Sequence, residues 1–127
     1  MHERSSEHED DMIIDHHRVN EITRNNSKLL KSISQLFLNE LPDMIKAVDT
    51  AYQQTDRQSI AKSIHRLKSA LGNFVNSEYY KEFSQLEASA SGTTAPVANL
   101  NEWLSQWEKA KLDLETLVIE LKEMAGI

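Results

Sequence analysis

Apolar residues recur at helical spacing along most of the chain. Over residues 27–55, Leu29, Leu30, Ile33, Leu36, Phe37, Leu41, Met44, Ile45 and Val48 return every three or four positions, the pattern of a helix with one buried face. Pro42 lies inside this run and predicts a bend near Asn39, because it has no backbone N–H to give the preceding turn. Asp56 or Thr55 is a suitable cap for the next helix, over 57–75, with an apolar stripe of Ile60, Ile64, Leu67, Leu71 and Phe74. Asn76 or Ser77 can cap a further helix that turns Tyr79, Phe83 and Leu86 inward and ends near Ser91-Gly92, glycine being the usual residue just past a helix. Thr93-Thr94-Ala95-Pro96 predicts a loop. A long helix over 97–124 follows, with Leu100, Trp103, Leu104, Trp107, Leu114, Leu117, Leu121 and Met124 on one broad face. Near the start, residues 13–24 predict a short helix anchored by Ile14, Val19 and Ile22. The expected fold is all-α: an up-down-up-down four-helix bundle with a short additional N-terminal helix, forming one domain over 13–127.

Composition sharpens this picture by exclusion. Residues 1–12 are polar, charged and aperiodic, and predict a disordered acidic tail. The first fifteen residues hold six acids and one arginine, so they carry −5 of the chain's net charge of −6. The near-neutral remainder has no basic stripe, which argues against nucleic-acid binding, where phosphate neutralisation supplies most of the affinity. With no cysteine there is no disulfide scaffold and no thiolate metal site. No stretch approaches the ~18 consecutive apolar residues of a membrane span. The polar start, Met1-His2-Glu3-Arg4, is unlike a signal peptide, and a cytoplasmic protein is the expectation.

Candidate chemistry gathers on the helix over 57–75. Wound at ~100° per residue, its apolar stripe falls opposite His65, while Ala61, Lys62, Lys68, Ser69, Gly72 and Asn76 fall within about 60° of it. His65 is therefore placed near the middle of an outward face. Lys68 stands one turn away, positioned to bring an ammonium to anything bound on the imidazole. Ala61, Ser69 and Gly72 are small enough for another protein to come close. A glycine inside a helix costs about 0.8–1 kcal/mol against alanine, so Gly72 invites an explanation. Close approach by a partner is one, and helix–helix packing is the other; its place on the wheel, nearer His65 than the stripe, favours the first.

A neutral imidazole is a good nucleophile near neutral pH, its ordinary pKa being about 6.5. Attack on an activated phosphoryl group gives a phosphohistidine, and transfer to a carboxylate reverses it. Such transfer depends mostly on positioning and charge stabilisation, so the carrier can be simple. Lys68 would offset phosphoryl charge by about 1 kcal/mol in water, rising to ~4 at an effective dielectric near 20. A partner that brings its own Mg²⁺ removes any need for metal ligands on this chain.

The segment Ile64-His65-Arg66-Leu67-Lys68-Ser69-Ala70-Leu71-Gly72 resembles the phosphorylation motif of histidine-containing phosphotransfer (Hpt) domains. Phe37, Pro42, Asp56 and Leu86-Glu87 are similarly spaced, and the resemblance runs from about Ile13 to Met124. Ser69 stands where the family usually has glycine. The resemblance implies a phosphorelay intermediate that takes a phosphoryl group from a receiver-domain aspartate onto His65 and passes it to another receiver. Lys68 would steady that group, and Ala61, Lys62, Ser69 and Gly72 would border the approaching partner. Glu87 resembles a position that faces the histidine and can accept a hydrogen bond from its other ring nitrogen. The implied partners are response-regulator receiver domains and a hybrid sensor kinase, with Mg²⁺ on the receiver and no cofactor on this chain. A phosphohistidine carrier without ATP-dependent autokinase activity is expected, and a monomer.

Three other features are open to a functional role. His2, His8, His16 and His17 raise a metal site, but adjacent residues on a helix point about 100° apart and share one ion poorly. Trp103 and Trp107, one turn apart, suit a stacking platform or, more simply, the core. The apolar arc of the helix over 27–55 is wider than one bundle face needs, and the part around Leu38 and Leu41 is the expected receiver-docking area. The rival functional class is a non-catalytic helical interaction module in which His65 merely decorates the surface.

Overall fold

A computed structural model of the chain describes residues 12–92 and 99–127. The expected tail up to residue 11, with His2 and His8, and the expected loop and first helical residues over 93–98 lie outside these. The described residues form five helices: α1 (His16–Thr23), α2 (Ser27–Gln53), α3 (Arg57–Leu71), α4 (Ser77–Ser91) and α5 (Leu100–Ala125). Among them there is no strand, and one isolated antiparallel bridge joins Ile14 to Val75. Contacts run from α2 to α3, α3 to α4 and α4 to α5, and α5 also packs on α2, so these four helices enclose a common core while α1 leans on α2.

Each helix begins on an Asp or Asn whose side chain accepts from an otherwise orphaned backbone N–H. Asp15 accepts from Arg18, Asn26 from Leu29, Asp56 from Gln58 and Ser59, Asn76 from Tyr79, and Asn99 from Glu102. The sequence left Asp56 against Thr55 and Asn76 against Ser77 open, and the first of each pair is the cap. Ser59 also donates its hydroxyl to Asp56, and these hydrogen bonds hold the Asp56 carboxyl below its ordinary range. Gly92 ends α4 and Gly126 ends α5 with φ of 79° and 72°, a left-handed conformation that favours glycine.

Several boundaries and burials differ from expectation. α2 is a single helix from Ser27 to Gln53 with Pro42 inside it, in place of a run to 55. α3 stops at Leu71 rather than at 75. The next residues turn, and their backbone pairs with the N-terminal segment: Asp15 donates to the Phe74 carbonyl and Asn76 to the Ile13 carbonyl, both at 2.8 Å. Asn76 also donates through Nδ2 to the carbonyl of Met12, so long-range hydrogen bonds replace another turn of helix. Asn76 therefore does not share His65's helix face. Ile22 is not an anchor: it is 44% exposed, and the buried neighbours of that stretch are Ile14, Val19 and Thr23. Thr23 fits an apolar site because its hydroxyl donates to the Val19 carbonyl.

The stripe predicted for α3 is core in full, with Ile60, Ile64, Leu67, Leu71 and Phe74 all buried. Phe37 meets Phe74 at 4.8 Å between ring centroids, tying α2 to the turn after α3. Trp103 and Trp107 are completely buried, stacked 6.1 Å apart, and each indole N–H has a partner: Trp103 the Leu86 carbonyl, Trp107 the Asp49 carboxylate. They are core, not an exposed platform. Tyr79 is also buried, donating to the Ala110 carbonyl, and burial drives its phenol far above the ordinary tyrosine range.

Candidate functional site

The buried stripe of α3 fixes the rotation of that helix and so decides which side chains leave the core. His65 follows Ile64 by one residue and is carried outward, with a side chain 61% exposed. Across the α3–α4 seam stands Glu87, next to the buried Leu86. Its Oε2 lies 3.1 Å from His65 Nδ1 and its Oε1 lies 2.8 Å from Lys68 Nζ. One carboxylate thus bridges the imidazole and the ammonium, and the other ring nitrogen, Nε2, is outside this contact.

Electrostatics follow from the geometry. Glu87 is 28% exposed. Burial pushes its carboxyl upward, but the hydrogen bonds and charges of Lys68 and His65 outweigh that and hold it below the ordinary glutamate range. Lys68 is more enclosed, its side chain only 15% exposed. A second neighbour explains this: the ammonium lies 5.6 Å from the centroid of the Tyr80 ring. Tyr80 carried no signal in the apolar pattern, because it sits beside the buried Tyr79 and is itself exposed.

The remaining candidates divide by location. Lys62 and Ser69 are exposed and Ala61 half-buried on the His65 helix. Ser69 lines a polar cleft together with Arg18, Asn73, Ser77, Tyr80 and Gly72. Gly72 has a different neighbour from the partner its place on the wheel suggested: a Cβ there would stand 3.3 Å from Cε1 of Tyr80, so its lack of a side chain accommodates the ring from α4. Helix packing is the explanation the structure supports.

Leu38 and Leu41 are not brought to His65. Leu41 is 4% exposed and belongs to the core. Leu38 is half-buried and lines an apolar groove with Pro42, Ile45, Val118 and Ile127 at the α2–α5 seam, across the ring of helices from the α3–α4 seam. The surplus apolar arc of α2 that does reach solvent includes Leu36, 62% exposed, and Leu29. Leu36 is eleven residues before Ala47, hence within about 20° of it on the helix. Ala47 faces α3, its carbonyl accepting from Ser63. Among the described residues no group of three or more His, Asp or Glu is arranged to hold a metal ion; His17 pairs with Glu21 at 3.7 Å.

The Hpt domain family matches residues 32–117, which spans α3 and α4 completely and most of α2 and α5. The chain is a member of the Hpt domain family. Neither a curated protein nor a solved structure matches it. Hpt domains are helical bundles that act by histidine phosphotransfer in phosphorelay signalling, where they interact with receiver domains and kinases, and the all-helical architecture accords with that. No helix among the described residues is long and apolar enough to cross a membrane.

Proposed function

We propose that this Hpt domain is a phosphorelay intermediate that accepts a phosphoryl group on His65 from a receiver-domain aspartate and returns it to the aspartate of another receiver. The observation that carries this is the bridge of Glu87 between His65 Nδ1 and Lys68 Nζ on an otherwise exposed helix face. With Nδ1–H donating to the Glu87 carboxylate, the free lone pair resides on Nε2. That nitrogen attacks the phosphorus of an aspartyl phosphate; the N–P bond forms as the P–O bond to the carboxylate breaks, and the aspartate leaves with the electron pair. Passing the group onward is the reverse of this step at a second receiver. Lys68 offsets charge on the phosphoryl oxygens, and Mg²⁺ comes with the receiver.

The receiver lies over His65, Lys62 and Ser69 and reaches the exposed apolar side chain of Leu36 on α2. The exposure of Leu36, on the same side of α2 as Ala47, supports this patch in place of Leu38 and Leu41. In this proposal α2–α5 run up-down-up-down, the domain is a cytoplasmic monomer, and phosphate enters from a receiver or hybrid kinase rather than from ATP.

Incubation with a phosphorylated receiver tests the proposal directly. Transfer of acid-labile, base-stable label to the wild type, lost in His65→Gln, is the expected result. Failure to take label from a broad panel of receivers would overturn it in favour of the non-catalytic interaction module.

A further inference from the structure

The polar cleft beside His65 and the contacts of Lys68 draw attention to Tyr80, which neither the apolar pattern nor the Hpt motif singled out. Tyr80 and Glu87 are seven residues apart on α4, hence nearly in line along the helix, and both face α3. Lys68 is held between them, its ammonium 2.8 Å from Glu87 Oε1 and 5.6 Å from the Tyr80 ring centroid. The ring can lie there because the residue that caps the end of α3, one turn beyond Lys68, is glycine. A Cβ on Gly72 would stand 3.3 Å from Tyr80 Cε1, closer than ordinary contact.

We infer that Tyr80 is a positioning residue for phosphotransfer: its ring face, admitted by Gly72, keeps the Lys68 ammonium at the His65 face. This rests on the function proposed above. A lysine side chain has four rotatable bonds and loses much freedom when its head is fixed. Glu87 alone does not solve that problem, since its carboxylate must also serve His65. When a phosphoryl group arrives on Nε2 and competes for the ammonium, the electron-rich ring face stays in place as the second support. It attracts the cation without adding a negative charge that would repel the phosphoryl oxygens. Gly72 and Tyr80 thus form a matched pair: Gly72 caps α3 instead of lying inside it as the sequence suggested, and its place is explained by the ring it admits.

The test compares Tyr80→Phe, which keeps the aromatic face, with Tyr80→Leu, which keeps apolar bulk without it. Ring-current shifts of the Lys68 side-chain protons, assigned by their loss in Lys68→Gln, read the contact independently of any transfer. They are expected in the wild type and Tyr80→Phe, and absent in Tyr80→Leu. Gly72→Ala, which must displace the ring by a few tenths of an ångström, should move them in the same direction as Tyr80→Leu. In transfer from a phosphorylated receiver, Tyr80→Leu should be roughly 3- to 10-fold slower and Tyr80→Phe close to wild type. Unshifted Lys68 protons in the wild type would overturn the inference, and so would equal transfer rates in all three proteins. If the wild type takes no label, the proposed function fails, and the proton shifts still decide whether Tyr80 holds Lys68. Circular dichroism melts of each variant separate these effects from loss of fold.

Discussion

Glu87 stands 3.1 Å from Nδ1 of His65 and 2.8 Å from Nζ of Lys68, so a residue 22 positions further along the chain couples the two groups that α3 presents one turn apart. Removing it should affect the imidazole before it affects the fold. In Glu87→Ala the Nδ1–H tautomer loses its acceptor, and ¹⁵N chemical shifts of the ring should move toward a mixture of the two tautomers. Transfer to His65 should slow by about tenfold, or ~1.4 kcal/mol of barrier. Unchanged ring shifts would show that Glu87 does not set the tautomer.

The same carboxylate predicts an acid dependence. Its folded-state pKa is held below the ordinary glutamate value, on balance of burial against Lys68 and His65. A depressed carboxylate contributes stability that is complete above the unfolded value, about 4.3, and is lost as pH falls through the lower folded value. Denaturation midpoints of wild type and Glu87→Gln should therefore differ at pH 6 and converge toward pH 3. A gap that stays constant over that range would rule out this linkage.

Docking is expected on the α2 surface beside α3. Leu36→Glu should weaken binding of a phosphorylatable receiver at least tenfold, since it places a charge on the apolar side chain that the proposed docking surface uses. Leu38→Glu, at the α2–α5 seam, should leave receiver affinity nearly unchanged in a folded protein. The opposite ranking, read by titration calorimetry, would return the docking area to the Leu38 groove.

Asn76 has two structural duties. Its Oδ1 caps α4 at the Tyr79 N–H and its Nδ2 donates to the Met12 carbonyl, both at 2.8 Å. Asn76→Ala should cost about 1–3 kcal/mol in urea unfolding, the range of a lost cap plus a lost part-buried hydrogen bond. Asn76→Asp preserves the cap but not the donor and should recover about half. Equal stability of all three would mean that solvent replaces these bonds freely.

Ile64→Ala tests how the core supports the site. Ile64 is fully buried directly beside His65 in sequence. Truncation should cost about 2–5 kcal/mol through lost burial and the cavity left behind. Amide hydrogen exchange should accelerate across α3 and α4 together, because the two helices share that packing. Acceleration confined to α3 would show that the seam does not respond as a unit.

Periodicity alone was enough to place the helices and the outward rotation of His65, and it narrowed the caps of α3 and α4 to two residues each. Ile60, Ile64, Leu67, Leu71 and Phe74 can be buried together in only one orientation of the segment, and that orientation turns His65 and Lys62 to solvent. The motif around His65 likewise carried the family, since its spacing is local. What periodicity could not decide were relations between helices. Leu36 and Leu38 are both apolar and two residues apart, yet one is exposed and the other sits at the α2–α5 seam, because the neighbours of α2 cover only part of its surplus arc. The end of α3 was set by hydrogen bonds from residues 12–15, some sixty positions away, that no local pattern encodes. Tyr80 was invisible for the same reason. Its value lies in a ring placed over Gly72 and against Lys68, and only the packing of α4 on α3 brings those three residues together.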